Sequence, residues 1–530
     1  MLKSTFISKH YEAILQISAK STMRNIIERN VMSTPSPEST PLSTPLSTLL
    51  ALLESIALPR NVLLCVSGSI AAYKALELAS TLKKIHINVA VVMSESAKKF
   101  IAPLSFEAIT HIKVLHTDTE SWENDKQALA ADILPESKSL DSGAPESCNH
   151  IAYARWAQLC ILAPASANSL AKLAHGIADT LPIQTLLATN APILCAPAMN
   201  TQMLLCAQTQ ANLATLSNMG IRIIAPRVGL LACNTTGSGA LASIEEILFA
   251  LLTAGMNGAV DSSLESNASR DAARFWRAKE VCITGGGASA MIDSVRAITN
   301  HSSGLQASAL AIALHSLGAK VTLITSAFPL PLPEAIRKIH ATSNEDFTHA
   351  LAQVAQERKQ PESKQSLDSG DPRVVLFMAA ALVDFAPESA KEHKIKKHDT
   401  NSTLQLTLMQ KSDVLSSLSE SHFVKIGFKA EDNLESALPN ALSMLYPSGV
   451  PDESNAGRLG KGCEIVCLNT LESNPFGSIN NRFTLLNRQS LHDKHTIVQC
   501  ESDSKLALAY KIAHFVQTTL ESTAPECAKS

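Results

Sequence analysis

Residues 61–94 have the sequence NVLLCVSGSIAAYKALELASTLKKIHINVAVVMS, which combines two different patterns of apolar residues. It opens and closes with short, continuously apolar runs, which are typical of β-strands buried on both faces. Between them, apolar residues recur every three to four positions from Ile70 to Ile85, which is the period of an amphipathic helix. Strand, helix and strand in this order predict a β-α-β unit with two parallel strands.

The same alternation continues along the chain. LCILAPAS (159–166) and APILCAPAMN (191–200) predict further strands. The pattern starts again at EVCITGGG (280–287), followed by a helix from about Gly304 and the strand KVTLITS (320–326). The sequence therefore predicts an α/β protein with two successive Rossmann-like domains, residues 58–255 and 278–530, joined by a polar linker at 256–277.

Length and composition limit the classes of function. The 530 residues are 45% hydrophobic, enough to bury two cores, and the net charge of −3 gives no basic field for binding nucleic acid. No window reaches about 18 consecutive apolar residues, so the sequence predicts no membrane span. The 11 cysteines are scattered, many of them in apolar runs, and predict reduced thiols in a cytoplasmic protein.

Several segments are too polar to be part of a core. Residues 1–57 are rich in Ser, Thr and Pro and predict a solvated extension; a targeting signal is the weaker interpretation. Two segments, beginning at Pro135 and Pro361, share the letters PESK and SLDSG, and a third begins at Tyr446. Because they offer little to bury, all three predict surface insertions, and a duplicated binding motif is the alternative for the first two.

Small and polar residues follow three of the predicted strands directly. These segments are Ser67-Gly68-Ser69, Pro164 to Asn168 and Pro197 to Asn200. Ligands of open parallel sheets bind outside the carboxyl ends of the strands, so these segments predict one binding site. Gly68 allows close approach to an anion, and Asn200 offers an amide to a carboxylate.

The ordered motifs of the first half resemble those of flavin-dependent phosphopantothenoylcysteine decarboxylases. They are SGSIAAYK, the His150 run, PASAN, GIADTL, PAMN and LACNTTGSG. The second half resembles phosphopantothenate–cysteine ligases, through TGGG, DSVRAITNHSSG, AAALVDF, KIKK and PFGS. The resemblance implies an N-terminal flavodoxin-like flavoprotein domain and a C-terminal nucleotide-binding ligase domain, fused for coenzyme A synthesis.

For the flavin half, the resemblance implies FMN chemistry on phosphopantothenoylcysteine. His150 would be the base, since a neutral imidazole accepts protons near neutral pH. Asn200 would hold the substrate carboxylate, and Cys233, in a glycine-flanked flap, would donate a proton. A solvated His150 and an inert Cys233 are the competing interpretations. The flavin-contacting positions implied are Ser67, Gly68, Ser69, Ser94, Ser166, Asn168 and Ala198.

For the ligase half, the resemblance implies CTP and Mg²⁺. 4'-Phosphopantothenate would form an acyl-cytidylate, which the amine of cysteine would then attack. The positions implied in binding substrate and CTP are Arg296, Asn300, Met378, Ala379, Ala380, Asp384, Lys394, Ser412, Asp413, Val414, Leu415 and Phe428. The residues that would bind the metal are left unassigned by the sequence.

Four departures from the family pattern affect these expectations. Gln158 replaces a common Asp. Ala240 replaces an Arg of the flap, and because that Arg would clamp the substrate phosphate, we expect looser substrate binding. TGGGASAMID also differs from the usual glycine loop. The helix after Phe428 lacks two lysines that would face the triphosphate, and Arg458 or Lys461 are candidate substitutes.

Other functions remain open at this stage. A decarboxylase with an impaired ligase half and a noncatalytic flavoprotein regulatory subunit are the alternatives. A nicotinamide dehydrogenase is disfavoured, because neither glycine loop has the G-x-G-x-x-G spacing with a following acidic residue. The resemblance also implies a homo-oligomer with flavin at subunit contacts, built from trimers of the first domain and dimers of the second into a dodecamer.

Overall fold

Two β-sheets, one in each half of the chain, organise the protein. The computed structural model describes residues 44–122, 144–230, 234, 236–256, 267–277, 279–357, 371–396, 403–453, 455, 457–470 and 477–523. Within this part of the chain, no helix combines the length and the apolar character needed to cross a membrane.

The first sheet has five parallel strands in the order β2-β1-β3-β4-β5. The strands are β1 (Asn61–Val66), β2 (Asn88–Met93), β3 (Leu159–Ala165), β4 (Ile193–Pro197) and β5 (Arg222–Ile223). A short antiparallel hairpin follows, β6 (Arg227–Leu230) and β7 (Thr236–Ala240). The order 2-1-3-4-5 is that of flavodoxin-like folds, in which ligands bind where the strand order reverses, between β1 and β3. The predicted fold of this half is confirmed.

The second sheet has eight strands in the order β12-β11-β8-β13-β16-β19-β20-β21. They are β8 (Glu280–Gly285), β11 (Lys320–Thr325), β12 (Arg337–His340), β13 (Val374–Met378), β16 (Phe423–Glu431), β19 (Ile465–Thr470), β20 (Asn480–Asn487) and β21 (Val498–Ser504). The first six strands in chain order are parallel and follow the Rossmann order 3-2-1-4-5-6, and β20 and β21 continue the sheet antiparallel. This confirms the predicted second Rossmann-like domain.

Three small hairpins of the second half lie outside that sheet. They are β9 (Ser289–Met291) with β10 (Ala297–Thr299), β14 (Phe385–Pro387) with β15 (Leu408–Gln410), and β17 (Pro451–Asp452) with β18 (Arg458–Leu459).

Helices cover the sheets. Those of the first half are α1 (Pro45–Leu53), α2 (Ala72–Lys84), α3 (Glu95–Lys98), α4 (Pro103–Thr110), α5 (His150–Trp156), α6 (Ala167–His175), α7 (Leu181–Leu187), α8 (Thr201–Leu205), α9 (Ala207–Asn218) and α10 (Ile244–Met256). Those of the second half are α11 (Asn267–Arg277), α12 (Leu305–Ser316), α13 (Asn344–Glu357), α14 (Val414–Ser417), α15 (Leu434–Ser443) and α16 (Lys505–Thr523).

Helix α1 differs from the prediction that residues 1–57 form a solvated extension. Thr44 caps the helix by accepting a hydrogen bond from the Ser47 amide, and Pro45 occupies the first turn, where its missing N–H is not needed. Leu49, Leu52 and Leu53 are buried, so the last part of the predicted extension belongs to the core. Residues 1–43 lie outside the described part of the chain.

The predicted linker also contains a packed helix. In α11, the Trp276 side chain is fully buried and its ring lies 6.3 Å from that of Phe377. The prediction of a polar linker at 256–277 is therefore wrong over residues 267–277. The acidic and serine-rich residues that suggested a linker precede Asn267, in 257–266, and are outside the described residues.

One apolar core connects the two halves. It contains Leu52 and Val66 from the first half together with Leu310 and Val516 from the second. Helix α1 packs against the C-terminal helix α16, and α10 packs against α12. A hydrogen bond from the Glu334 amide to Glu246 Oε1, 2.8 Å long, also crosses between the halves.

The structure describes most of only one of the three predicted insertions. Most of the segments that begin at Pro135 and Pro361 lies outside the described residues. The segment from Tyr446 forms the β17–β18 hairpin and returns to the sheet at Gly462, whose amide donates to the Tyr446 carbonyl over 2.8 Å.

Candidate active sites

The carboxyl ends of β1 and β3 are joined by Ser67. Its buried hydroxyl donates to the Pro164 carbonyl over 2.7 Å and accepts from the Ser166 amide over 3.0 Å. Ser67 thus holds the two strand-end turns together, and its hydroxyl is directed into the protein. Other residues of the two turns, Gly68, Ser69 and Ser166, can therefore contact a ligand.

A cavity of about 650 Å³ opens at this edge of the first sheet. Gly68, Ser69, Ser166, Ala198 and Asn200 line it, together with Lys74, Arg227 and the hairpin residues Leu230, Asn234, Gly239 and Ala240. The structure therefore brings together five of the predicted flavin-half residues. Ser67, Ser94, Asn168 and His150 do not line this cavity.

Ser94 and Asn168 lie near the cavity without lining it. Ser94 caps α3 by accepting from the Ala97 amide, and its hydroxyl lies 3.0 Å from that of Ser96. A side chain on Gly68 would collide with Ser96, so glycine is required where these two turns meet. Asn168 is exposed in the first turn of α6.

The β6–β7 hairpin forms one wall of the cavity. The Met199 amide donates to the Gly239 carbonyl over 3.0 Å, and a side chain at Gly239 would collide with the Met199 carbonyl. Gly239 has a φ of 150°, a conformation that favours glycine. Cys233 falls between the two strands in the sequence and lies outside the described residues.

Two cations that were not predicted from the sequence border this cavity, Lys74 and Arg227. Arg227 is the cross-strand partner of Ala240 in the hairpin, so a guanidinium is present beside the position where the family pattern has Arg. Burial, and then the charge of Arg227, lower the pKa of Lys74. Two neighbouring cations at the edge of a cavity favour an anionic ligand.

His150 begins α5 and is paired with a carboxylate. Its Nδ1 lies 2.7 Å from Glu120 Oε1, and both side chains are partly buried. The Trp122 ring contacts the imidazole edge to face, with centroids 5.5 Å apart. Asn149 accepts from the Ala152 amide over 2.9 Å and so fixes the start of the helix. Glu120 was missed, because 30 residues separate it from its partner.

A second cavity, of about 210 Å³, lies beyond the carboxyl end of β13 in the ligase half. Eight of the predicted ligase residues line it: Met378, Ala380, Asp384, Ser412, Asp413, Val414, Leu415 and Phe428. Lys429 and Lys461 line the same cavity. Residues from β13, β16 and the turn before α14 are therefore brought together, as the resemblance implies.

Lys461 is directly paired inside this cavity. Its Nζ lies 2.6 Å from Asp413 Oδ2, while Asp413 Oδ1 accepts from the Ser416 amide over 3.0 Å and caps α14. Burial acts to raise the pKa of Asp413, but Lys461 and the backbone amides outweigh it, and the pKa lies below its ordinary value. Arg458 lies exposed on β18 and does not line the cavity.

Arg296, Asn300 and Lys394 do not line that cavity. Arg296 Nη2 donates to the Ile395 carbonyl over 3.2 Å, which brings it next to the exposed Lys394. Asn300 Nδ2 donates to the Leu382 carbonyl over 2.6 Å. Both bonds tie the β9–β10 region to the loops after β13.

Ala379 faces a third cavity, at the start of α12. That cavity, of about 120 Å³, also contains Gly304, Asn469 and Lys505. Burial lowers the pKa of Lys505 to about 8, and its Nζ donates to the Ser478 carbonyl over 2.6 Å.

The glycine loop Gly285-Gly-Gly287 approaches the protein's own backbone. Side chains at Gly286 and Gly287 would collide with Ser326 and with the Asn300 carbonyl. Gly286 has a φ of 76°, which favours glycine. The loop is therefore required by packing at the end of β8.

Comparisons with known proteins agree with this architecture. The family model for flavoproteins matches residues 54–254, and the model for the C-terminal domain of DNA/pantothenate metabolism flavoproteins matches residues 276–520. The coenzyme A biosynthesis bifunctional protein CoaBC of Bacillus subtilis (strain 168) is 36% identical over 375 residues, which cover 70% of this chain and 80% of the relative. The chain belongs to the CoaBC family.

A second relative extends along more of the chain, and a solved structure covers a smaller part of it. The CoaBC protein of Vibrio cholerae is 30% identical over 462 residues, which cover 86% of this chain and 98% of the relative. A solved structure of a PPC decarboxylase mutant complexed with pantothenoylaminoethenethiol is 30% identical, covers 35% of this chain and 93% of that chain, and has a TM-score of 0.29.

Membership of the CoaBC family confirms the predicted enzyme class. The protein is a bifunctional enzyme of coenzyme A biosynthesis with a flavoprotein decarboxylase half and a ligase half. The noncatalytic regulatory subunit and the dehydrogenase are therefore set aside.

Proposed function

We propose that the first half binds FMN in the 650 Å³ cavity and decarboxylates phosphopantothenoylcysteine there. The shape of the cavity supports this proposal. Small residues leave room for a ligand at the ends of β1, β3 and β4, and Gly68 stands at a turn where a side chain would collide with Ser96. Bound FMN supplies the oxidation that gives the departing carboxylate an electron sink. The residues of the chain bind the substrate, exclude water and move protons.

His150 is the proposed base. With Nδ1 held by Glu120, the imidazole presents Nε2 to accept a proton. Because His150 does not line the cavity of its own chain, we propose that it acts in the site of a second copy. Exposed apolar side chains line the cavity, namely Ile70, Tyr73 and Leu230, which supports a homo-oligomer whose contacts include this site.

Two other residues would hold the substrate in that cavity. Asn200 would donate its amide to the carboxylate that leaves as carbon dioxide. Arg227 would bind the phosphate in place of the arginine missing at Ala240. Cys233, on the hairpin between β6 and β7, is the proposed proton donor.

The second half is proposed to activate 4'-phosphopantothenate with CTP and to couple it to cysteine. The observation that carries this proposal is the convergence of eight predicted residues and Lys461 on one cavity at the end of β13. Lys461 would stabilise charge on the triphosphate as the acyl-cytidylate forms. Its position argues against the alternative of an impaired ligase, which rested on missing lysines.

Mg²⁺ is proposed to enter with CTP. Asp384 and Asp413 are the two carboxylates that line the ligase cavity, and carboxylate oxygens suit Mg²⁺. Arg296, Asn300 and Lys394 would bind the phosphopantothenate part of the intermediate; Arg296 donates to the Ile395 carbonyl beside Lys394, and Asn300 donates to the Leu382 carbonyl.

A cytoplasmic location is also proposed. The nine cysteines described by the structure are free thiols, and burial raises the pKa of Cys160, Cys195, Cys282 and Cys463 to about 12. Buried, protonated thiols of this kind suit a reducing compartment.

The flavin proposal can be tested with a pair of glycine variants. Gly68→Ala would place a methyl group against Ser96 and should abolish the absorbance of bound flavin, whereas Gly255→Ala, which meets only ordinary contacts at Pro59, should retain it. Both variants should form CMP from CTP and phosphopantothenate. Full retention of flavin by Gly68→Ala would contradict the proposed site.

A further inference from the structure

Lys425 is a fully buried lysine in the ligase sheet. It lies in the buried first part of β16, between Val424 and Ile426 in a run of apolar residues, and its side chain is 0% exposed. A buried ammonium group is costly unless each of its hydrogen-bond donors finds an acceptor. Such a residue therefore calls for a specific set of partners.

Three acceptors surround the Lys425 ammonium group. Its Nζ donates to the Leu415 carbonyl over 3.1 Å, to the Lys461 carbonyl over 3.1 Å and to the Ser448 hydroxyl over 3.2 Å. These match the three N–H donors of a lysine. The partners come from two segments of the chain: Leu415 lies in α14, and Ser448 and Lys461 lie near the two ends of the insertion that begins at Tyr446.

Charged neighbours complete the site. Burial lowers the pKa of Lys425, and Arg488 acts in the same direction. Cys463, Glu420 and Asp413 act to raise it. Glu420 accepts from the Ser448 amide over 3.2 Å and from Arg488 over 3.1 Å. Arg488 in turn donates to the carbonyls of Gly462 and Cys463. The chain on either side of Lys461 is thus held at several points.

The partners of Lys425 form two walls of the ligase cavity. Leu415 and Lys461 both line that cavity, and the Lys461 ammonium group reaches across it to Asp413. Lys425 does not line the cavity, but it ties the backbone of one wall to that of the other.

We propose that Lys425 is a positioning residue for nucleotide binding. It holds the insertion and the α14 segment so that Lys461 reaches the triphosphate, and it thereby joins an inserted segment to the ligase site. This inference rests on the proposed role of Lys461 in binding CTP. Lys425 itself does not touch the nucleotide.

The test compares Lys425→Met, Lys461→Met and the double variant in the full-length protein. The KM for CTP is measured in the ligase reaction, with flavin content and decarboxylation of phosphopantothenoylcysteine as measures of folding. Each single variant should raise the KM for CTP about tenfold, the usual effect of losing one hydrogen bond to a charged group. The double variant should be no worse than Lys461→Met, because Lys425 acts through Lys461.

The outcomes separate the two proposals. A wild-type KM in Lys461→Met overturns the CTP role of Lys461 and this inference with it. A raised KM in Lys461→Met with a wild-type KM in Lys425→Met, or effects that multiply in the double variant, overturns this inference alone. Lys320→Met, at an exposed site, serves as the matched control.

A milder variant covers the case in which Lys425→Met does not fold. Ser448→Ala removes one acceptor and leaves the lysine in place. It should raise the KM for CTP about threefold, less than Lys425→Met, because the carbonyls of Leu415 and Lys461 still accept from the ammonium group. The increase should vanish in the Lys461→Met background. A KM for CTP that Ser448→Ala leaves unchanged, or raises equally in both backgrounds, would contradict the proposal.

Discussion

At the scale of single residues, both proposed sites depend on side chains that orient other side chains. Glu120 fixes one nitrogen of His150 over 2.7 Å, and Asp413 holds the Lys461 ammonium group over 2.6 Å. His150 and Lys461 are the residues proposed to contact substrate. His150 was predicted from the sequence, and Lys461 was named as a candidate. Glu120 was not, because only the folded chain brings it to its partner.

His150→Asn should lower the turnover of decarboxylation by about 10² to 10⁴-fold, the usual contribution of a general base. Flavin content and CMP formation should be unchanged, because the imidazole contacts neither cavity of its own chain. Glu120→Gln should cause a smaller loss, since it removes the charge but keeps a hydrogen-bond acceptor. Steady-state assays on phosphopantothenoylcysteine measure both effects, and a normal turnover in His150→Asn would refute the role of the base.

Arg227→Ala should raise the KM for phosphopantothenoylcysteine about tenfold, because one charge-assisted hydrogen bond to phosphate is lost. The KM for the substrate without phosphate should stay the same. Arg60→Ala, at an exposed position just before the amino end of β1, is the matched control. If Arg227→Ala instead weakens flavin retention and affects both substrates equally, the guanidinium binds the cofactor phosphate and not the substrate.

At the scale of secondary structure, two helices depart from the sequence-based expectation. Helix α1 follows a Ser-Thr-Pro repeat whose composition resembles that of a disordered segment, yet its capping box and three buried leucines make it part of the core. In α11, most residues are polar, yet the fully buried Trp276 makes the helix part of the core. Composition averages over a segment, whereas burial depends on the few positions that face the protein.

Leu52→Ala should destabilise the protein by about 2–5 kcal/mol, because it empties a fully buried leucine site. Since α1 packs against α16, the loss should lower the thermal midpoint of both the flavin-bound half and the ligase half. Differential scanning calorimetry and flavin release on heating measure the two. Glu54→Ala, at the exposed end of the helix, should leave both midpoints unchanged. A midpoint shift in the flavin half alone would show that α1 does not couple the halves.

At the scale of the whole molecule, the strand orders 2-1-3-4-5 and 3-2-1-4-5-6 place each cavity at the carboxyl edge of a parallel sheet. The sequence could predict this much, because strand-end residues follow their strands directly in the chain. It could not predict the core that joins the halves, or the path by which an insertion returns Lys461 to the ligase cavity. Both depend on contacts between distant parts of the chain.

A mass-spectrometric time course shows whether one chain performs both steps. The purified protein is supplied with FMN, Mg²⁺, CTP, cysteine and 4'-phosphopantothenate. We predict transient phosphopantothenoylcysteine, then 4'-phosphopantetheine, with one CMP released for each molecule coupled. Phosphopantothenoylcysteine that accumulates without phosphopantetheine would contradict the account of the flavin half, and the absence of CMP would contradict the account of the ligase half.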